Sequence, residues 1–358
     1  AAGRRRDAVN SRLPDEAAYQ AEYGIVLSSR VRLARNLRGL PFPDKAPAAV
    51  LADVRRRAMA AARDALPVQE TLADASPLRR QILFEDHLIS RNLLEDRPEA
   101  ALCMNAEHTQ AVMINEEDHL RIQALRPGLA LREAWADADA LDDVLERQLD
   151  YAFSSALGYL TSCPTNVGTG MRASAMMHLP GLVLQNEMEP IANGLGKIGL
   201  TVRGRWGEGT AALGHMFQVS NQLTLGVAEE RILADLEEIV KEIAGHERNA
   251  RERLKRERTA FAEDLAARAE GLLTAARLMT TQEALERLSE LRLGIALGFT
   301  KGIALAQVDR LLLDVQPAHL QAAVGRTLNG EERDAARAER LRNELGRRPA
   351  RRIGKRTT

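Results

Sequence analysis

The sequence is poor in aromatic side chains, with two Trp, four Tyr and six Phe in 358 residues. Its core must be filled by Leu, Ala, Val and Ile, and a hydrophobic content of 45% supplies enough of them. Only two cysteines are present, Cys103 and Cys163, which make neither a disulfide framework nor a zinc-spacing pair. No apolar run reaches the length of a membrane span. The opening Ala-Ala-Gly-Arg-Arg-Arg leads into no hydrophobic signal region. Charge of one sign does not dominate either: 50 Lys+Arg balance 50 Asp+Glu. Global charge therefore gives no reason to expect nucleic acid or membrane as a partner, and a soluble, cytoplasmic protein is expected. Nucleotide signatures are also missing. No stretch fits G-x-x-x-x-G-K-[ST]. Gly168–Ala173 fits G-x-G-x-x-A but follows a Cys-Pro loop rather than a strand, so it is rejected as a dinucleotide fingerprint. The His-Arg-Asp and Asp-Phe-Gly set is absent.

What is present centres on Ser162-Cys163-Pro164-Thr165-Asn166-Val167-Gly168-Thr169-Gly170-Met171-Arg172. This stretch reads either as an ordinary turn or as a loop that sets a thiol against an anion. Its two glycines let backbone amides approach closely. A helix is expected from Arg172 to His178, and a thiol beside a helix N-terminus is favoured as thiolate. Upstream, Ser28-Ser29-Arg30-Val31-Arg32 alternates as a strand, with Arg30 and Arg32 on one face. Two guanidiniums beside two hydroxyls suit a polyphosphate; a solvated edge strand is the plainer alternative. Asn115-Glu116-Glu117-Asp118-His119 sets three carboxylates side by side. They repel and call for a cation nearby, for which Arg121 is a candidate.

In chain order, residues 46–66 read as an Ala-rich helix. Residues 101–104 and 111–114 read as a β-hairpin through 105–108. Residues 131–160 read as largely helical, on the spacing of Leu131, Trp135, Leu141, Val144, Leu145, Leu149 and Ala152. A further helix lies within 183–196. Leu200–Gly209 reads as a strand entering a glycine-rich loop, and Met216–Ser220 as a last strand. From about 228 strand signals vanish, and a long charged helix and several more helices follow. The expected organisation is α+β: a flexible N-terminus at 1–20, a catalytic domain at 21–250, an all-helical domain at 251–345 and a basic disordered tail at 346–358.

Arg30, Arg32, Arg121, Arg172 and Arg203, all at loop or strand-end positions, can neutralise a triphosphate and its transferred group. Glu117 and Glu208 can hold a planar cation. The combination suggests phosphoryl transfer to a guanidinium. Four motifs in order, Ser-Ser-Arg-Val-Arg at 28–32, Asn-Glu-Glu-Asp-His at 115–119, Ser-Cys-Pro-Thr-Asn-Val-Gly-Thr at 162–169 and Val-Arg-Gly-x-x-Gly-Glu at 202–208, resemble the phosphagen kinase superfamily. Within it the chain is most similar to the bacterial protein-arginine kinase branch, from about Ile25 to about Leu345, including Arg-Asp-x-x-Arg-Ala at 333–338. Small-substrate members place a helical domain before the Ser-Ser-Arg strand. Here fewer than 30 residues precede it and the helical domain follows.

The resemblance implies an antiparallel sheet flanked by helices, with ATP over the sheet and Mg2+ held through the nucleotide phosphates. Residue by residue, it assigns nucleotide contacts to Ser28, Ser29, Arg30, Val31, Arg32, His87, Arg121, Arg172, Ala173, Ser174, Ala175, Met176, Arg203, Gly204, Arg205, Trp206, Gly207 and Glu208. Glu117 is the expected base and orienter. Glu208 would grip the other guanidinium edge, and Cys163, as thiolate, would help align the acceptor. Arg333, Asp334, Arg337 and Ala338 resemble an allosteric phosphoarginine pocket. The resemblance also implies protein substrates, a homodimer or higher homo-oligomer, a zinc-binding activator protein (McsA), and the Clp protease machinery acting on marked proteins in a stress response. The competing readings are a kinase of free arginine or another small guanidino compound, a phosphoarginine-binding adaptor without activity, and nucleic-acid binding through the basic tail, Arg347 to Arg356.

Overall fold

The strand β1 (Val26–Arg35) lies inside a sheet, paired on both sides and not at an edge. Val31 and Leu33 are fully buried, and the residues that alternate with them, Arg30 and Arg32, project from the other face. The computed structural model describes residues 24–204 and 213–346. The expectations for residues 1–20, for Arg205, Trp206, Gly207 and Glu208, and for the tail beyond Gly346 lie outside the described residues. Those described divide into two compact units, one made of 25–204 with 216–248 and the other centred on 249–346.

The first unit is an eight-stranded antiparallel sheet with helices on its faces. After β1 come α1 (Ala48–Ala62), β2 (Val68–Thr71), α2 (Pro77–Glu85), β3 (Ala101–Met104), β4 (Gln110–Ile114), β5 (Leu120–Pro127) and α3 (Leu131–Glu146). A two-residue ribbon, β6 (Phe153–Ser154) with β7 (Gly158–Tyr159), precedes β8 (Met171–His178). Then follow α4 (Pro180–Leu184), α5 (Met188–Lys197), β9 (Leu200–Gly204), β10 (Met216–Asn221) and the long α6 (Glu229–Glu257). The spatial order is β2-β3-β4-β5-β1-β8-β10-β9. One face packs on α3 through Leu131, Ala134, Ala138, Leu141 and Leu145, a helix-period stripe. The opposite face is covered over β3 and β4, where Leu83, Leu88 and Leu93 lie on Leu102, Met104 and Met113. Over β5, β1, β8, β10 and β9 the same face carries polar side chains.

Two expectations are corrected. Residues 172–178 are a strand, β8, not a helix. Arg, Ala and Met all favour helix intrinsically, but that preference is a weak prior. Here β8 is bonded on both sides, to β1 and β10, and Ala173, Ala175 and Met177 are buried with period two. No helix N-terminus therefore follows the Cys163 loop at Arg172. Likewise the helix of 131–160 stops at Glu146. Beyond it the backbone turns to pair with the end of β1: Arg38 N donates to Asp150 O at 2.8 Å and Ala152 N to Asn36 O at 2.7 Å. Leu149 is buried in the turn that closes α3, and Tyr151 in the extended segment after it. The Ala-rich helix, the 101–114 hairpin, the helix within 183–196, the strands at 200 and 216 and the long helix from 229 match the sequence reading.

Two buried polar clusters position the loops at the open end of the sheet. Arg35, 2% exposed, donates its Nε to Asp142 at 2.9 Å, its Nη1 to Thr169 O at 2.9 Å, and stacks on the Tyr159 ring at 3.5 Å. It ties the end of the Cys163 loop to α3. Asp118 accepts from Asn36 Nδ2 and from Ser162 N, both at 2.6 Å, and so joins the carboxylate turn to the start of the same loop. His119, fully buried, accepts the Leu37 N–H at Nδ1 (3.1 Å) and faces Pro41 O through Nε2 (3.1 Å). That pair of partners fits a neutral ring protonated at Nε2.

The second unit is helical: α7 (Thr259–Ala275), α8 (Thr281–Leu297), α9 (Leu305–Asp314), α10 (Pro317–Val324) and α11 (Gly330–Leu345). The starts of α8 and α11 are capped by Thr280 and Asn329. Asn329 forms a full capping box with Glu332. Among the described residues no helix is long and apolar enough to cross a membrane.

Burial lowers the His119 pKa from 6.5 to about 4, with Arg57 adding to the effect. Between those values the unfolded chain binds a proton that the folded chain refuses, so stability is full above pH 6.5 and falls as pH drops towards 4. The loss amounts to roughly 3 kcal/mol. Urea unfolding at pH 7, 6, 5 and 4.5 should show this decline, and His119→Gln, which can keep both hydrogen bonds, should flatten it relative to wild type.

Candidate active site

The open end of the sheet forms a cleft of ≈ 600 Å³ within the first unit. Its walls are Arg32 and Ala34 of β1, Glu117 of the carboxylate turn, Arg121 of β5, Cys163, Thr165 and Asn166 of the cysteine loop, Arg172 of β8, Arg203 of β9, Asn221 at the end of β10, and Gln222 and Thr224 after it. Of the residues singled out from sequence, Arg32, Glu117, Arg121, Cys163, Arg172 and Arg203 meet here.

Register explains why the guanidiniums converge. Arg32 stands directly opposite Arg172 on β8, and Ala34 opposite Arg121 on β5. Cross-strand partners share a face, with Cβ atoms about 4.5–5.5 Å apart. Such a pair of like charges is unfavourable unless something anionic lies between them. Burial lowers the Arg30 pKa to about 10, with repulsion from Arg121 and Arg172 contributing. Arg32 is pushed down by burial and by Arg30, Arg121 and Arg172, and Glu116 opposes the shift. The Arg32 Nε is buried without a hydrogen-bond partner among the described residues. An orphaned donor within a crowded cationic cluster fits a polyphosphate, whose oxygens would satisfy the donor and neutralise the cluster.

Three carboxylates adjacent in sequence have three different fates. Glu116, 1% exposed, meets Arg121 at 2.8 Å and accepts the Ser90 hydroxyl at 2.6 Å. Burial would raise its pKa, but Arg121 and the Ser90 bond outweigh burial and hold it below the usual range. Asp118 is spent on loop anchoring. Glu117 alone opens into the cleft, 3.6 Å from Arg121 and 35% exposed. Burial raises its pKa, Arg121 opposes, and Asp118 and Glu116 add to the rise. A carboxylate held ready to take up a proton suits a general base.

The Cys163 loop is held by backbone contacts. Thr224 Oγ1 donates to Thr165 O (2.8 Å) or Val167 O (2.7 Å), and Thr169 N donates to Thr224 O at 3.1 Å. Gly168 has φ of +110°, and a Cβ there would lie 2.3 Å from Thr224 O, so only glycine fits. The Cys163 thiol, half-buried, lies 3.0 Å from the Thr165 hydroxyl. Gly170 lets the chain pass 2.6 Å from Ala34 O, measured to an ideal Cβ, as it enters β8.

The other candidates fall into place along the same face or away from it. Ser28, Arg30, His87, Ser174 and Met176 surround a small hollow with Leu125 and Gln218. His87 sits there with φ of +59°, and its carbonyl accepts from Gln123 Nε2 at 3.0 Å. Ser29, Val31, Ala173 and Ala175 point to the opposite, buried face of the sheet. Gly204 ends β9. In the second unit Arg337 is 1% exposed and donates to Val315 O at 2.9 Å, Met279 O at 2.8 Å and Asp334 at 2.7 Å; Ala338 is buried beside it. Arg333 and Asp334 remain half-exposed.

Sequence reading did not single out Asn221. It is 5% exposed; its Oδ1 accepts Ala173 N–H at 2.8 Å, and its Nδ2 donates to Met171 O or Leu223 O at 3.0 Å. It fixes the wall of the cleft where β10 ends. The available signal was only a polar pair, Asn221-Gln222, closing a strand. The anchoring role of Asp118 and Asn36 was also hidden, because their contacts span 82 residues of sequence.

Residues 58–250 match the family model of the ATP:guanido phosphotransferase C-terminal catalytic domain, and residues 260–355 that of the protein-arginine kinase McsB C-terminal domain. The chain is 46% identical over 344 residues to the protein-arginine kinase of Moorella thermoacetica, covering 94% of this chain and 97% of the relative. It is 47% identical over 328 residues to that of Symbiobacterium thermophilum, covering 90% and 93%. Among solved structures, lombricine kinase matches with a TM-score of 0.56 at 26% identity, over 66% of this chain and 67% of that one. A duplicated taurocyamine kinase from Schistosoma mansoni, at 24% identity and a TM-score of 0.54, covers 63% of this chain and 32% of its own and supports the fold alone. With a phosphagen-kinase sheet, a helical unit after it and these relatives along nearly its whole length, the chain belongs to the protein-arginine kinase family.

Proposed function

We propose that this chain is an ATP-dependent, cytoplasmic kinase that phosphorylates arginine side chains of proteins. The observation that carries the reading is the single cleft with Glu117 and Cys163 beside four guanidiniums. ATP would supply the phosphoryl group, with Mg2+ held through the nucleotide phosphates. Arg32, Arg121, Arg172 and Arg203 bind its anionic oxygens. Ser28, Arg30, His87, Ser174 and Met176 would line the nucleoside end of the same face. Val31, Ser29, Ala173 and Ala175 contribute through the strand backbone, since their side chains face the core. Gly204, Arg205, Trp206, Gly207 and Glu208 extend the set by family resemblance. Among the described residues no group of three or more His, Cys, Asp or Glu could hold a metal ion, so the magnesium would be held by phosphate and water.

Phosphoryl transfer needs in-line placement and charge neutralisation more than covalent help. The arginines neutralise the equatorial oxygens, and the sheet fixes them before substrate arrives. The acceptor is a guanidinium, protonated at neutral pH and a poor nucleophile in that form. Glu117 takes one of its protons as the nitrogen–phosphorus bond forms and the phosphorus–oxygen bond to ADP breaks. Cys163 faces the same space, and as thiolate it would align the cation with no covalent intermediate. Glu208 would hold the second edge of the acceptor.

In the helical unit, Arg333, Asp334, Arg337 and Ala338 are proposed as a phosphoarginine site that regulates activity, on a surface shared with homodimer formation. Arg337 acts there as a buried strut that fixes Asp334, and Arg333 is the group free to meet ligand from a half-exposed position. Partners by family resemblance are protein substrates, the activator McsA and the Clp protease system in a stress response. The reading as a kinase of free arginine remains the runner-up.

Glu117→Gln should lower kcat on a basic protein by at least about 10³-fold, within the range for loss of a general base, while the ATP Kd changes less than threefold. In the wild type, kcat/KM should fall on acidification through an ionisation above the usual glutamate value, because protonation of Glu117 removes the base. Survival of turnover within about tenfold, only about 1.4 kcal/mol of barrier, would contradict the assignment.

Arg333→Ala should weaken binding of a phosphoarginine peptide, read by calorimetry, with no change in thermal midpoint. Arg337→Ala should lower both, because it also removes bonds to two backbone carbonyls. Unchanged peptide affinity in both variants would exclude the pocket.

A further inference from the structure

The wall that closes the cleft beyond β10 has a second side. Along residues 222–225 side chains alternate: Gln222 and Thr224 line the cleft, whereas Leu223 and Leu225 are 59% and 54% exposed. Behind this wall lies a groove of ≈ 380 Å³ between the start of β9 and the outer face of α6, all within the first unit. Leu223, Ile198, Ile232 and Ile239 make its floor and sides, and Ile198 is 58% exposed. Asn221 lines both the groove and the cleft. Gln222 N donates to Gly199 O at 2.9 Å, and Gly199, with φ of +76°, passes 2.9 Å from Leu223 Cδ1 measured to an ideal Cβ. The wall is therefore braced rather than loose.

An exposed apolar hollow that adjoins a cleft of this kind is an unusual expense of surface. Its rim is acidic. Asp235, Glu238 and Glu242 stand against one cation, Arg231, which is already paired with Asp235 at 2.9 Å. Glu238 and Glu242 are exposed, and neither makes an ion pair among the described residues. An apolar floor with an uncompensated negative rim fits an extended polypeptide that carries an aliphatic or aromatic side chain next to Lys or Arg. A protein whose arginine is to be phosphorylated presents that chemistry when its chain is unfolded, since both its apolar residues and its basic residues are then accessible.

We propose that this groove docks the segment of an unfolded protein substrate that flanks the arginine in the cleft. This inference rests on the protein-arginine kinase reading and extends it to substrate choice: apolar-basic segments are selected over isolated arginines. Free arginine and very short peptides are too small to reach across the wall and gain nothing from the groove.

The test compares two substrates, a reduced, alkylated basic protein and a blocked Gly-Arg-Gly tripeptide, with wild type, Ile198→Glu and the double variant Glu238→Lys, Glu242→Lys. All three altered positions are exposed and outside the cleft, and thermal midpoints check folding. Each variant should raise KM for the unfolded protein about tenfold with kcat and the tripeptide kinetics unchanged. Unchanged KM for the protein, or equal losses on both substrates, would overturn the proposal. A shift from dimer to monomer in Ile198→Glu by light scattering, with KM unchanged, would assign the groove to a second copy of the chain and overturn it as well. Anisotropy of a labelled apolar-basic peptide reads docking without turnover. If wild type phosphorylates neither substrate, the enzyme reading fails by itself. Peptide binding that both variants weaken would then still support the groove, and binding that neither variant weakens would refute it.

Discussion

Like charges placed opposite one another on neighbouring strands govern this molecule. Arg32 on β1 faces Arg172 on β8, with Arg30 and Arg121 close enough to add to the repulsion. The sheet forces this arrangement, because the antiparallel register fixes which side chains stand opposite Arg32: Gln123 on β5 and Arg172 on β8. The cost is met on the other face, where Val31, Leu33, Ala173 and Ala175 are fully buried against helix. Glu116, itself buried, opposes that repulsion at Arg32. The result is a rigid cationic surface whose charge is balanced only when a polyanion arrives, and such prearranged charge is what phosphoryl transfer uses.

The covering of the sheet is as important as its charges. One polar-side half is sealed by α2 and the segment after it, through Leu83, Leu88 and Leu93. The other half carries polar side chains, Gln123, Ser174 and Ser220 among them, and the carboxylate turn and the cysteine loop rise at its end, beside the cleft. Asp118 binds these two loops to each other, and Arg35 binds the second to α3. Glu117 and Cys163 therefore have a common frame, although they are far apart in sequence.

Much of this was legible in the residues. The alternation of Arg30 and Arg32 with Val31 revealed a strand and its polar face, and the motifs at 115–119 and 162–169 identified the loops that converge. The long helix from Glu229 followed from its charge pattern and the loss of strand signals. What failed did so for a physical reason. Met171–His178 is rich in helix formers, yet two neighbouring strands claim its backbone. The helix of α3 was read too long because Leu149 and Ala152 continue its apolar spacing, and apolar spacing cannot tell a helical face from a turn and an extended segment docked beside β1. Asn221 and Asp118 serve through contacts distant in sequence, which no local pattern encodes. The bonds of Arg337 to the Val315 and Met279 carbonyls are equally distant in sequence and equally absent from its local motif.

The central claim is that this cleft transfers phosphate to arginine within proteins and not to the free amino acid. The most direct measurement is mass spectrometry, under non-acidic handling, of a basic protein and of free arginine, each incubated with the chain and Mg-ATP. The account predicts phosphoarginine on the protein and none on the amino acid. Product on free arginine alone would contradict it and would place the chain with the small-guanidine kinases.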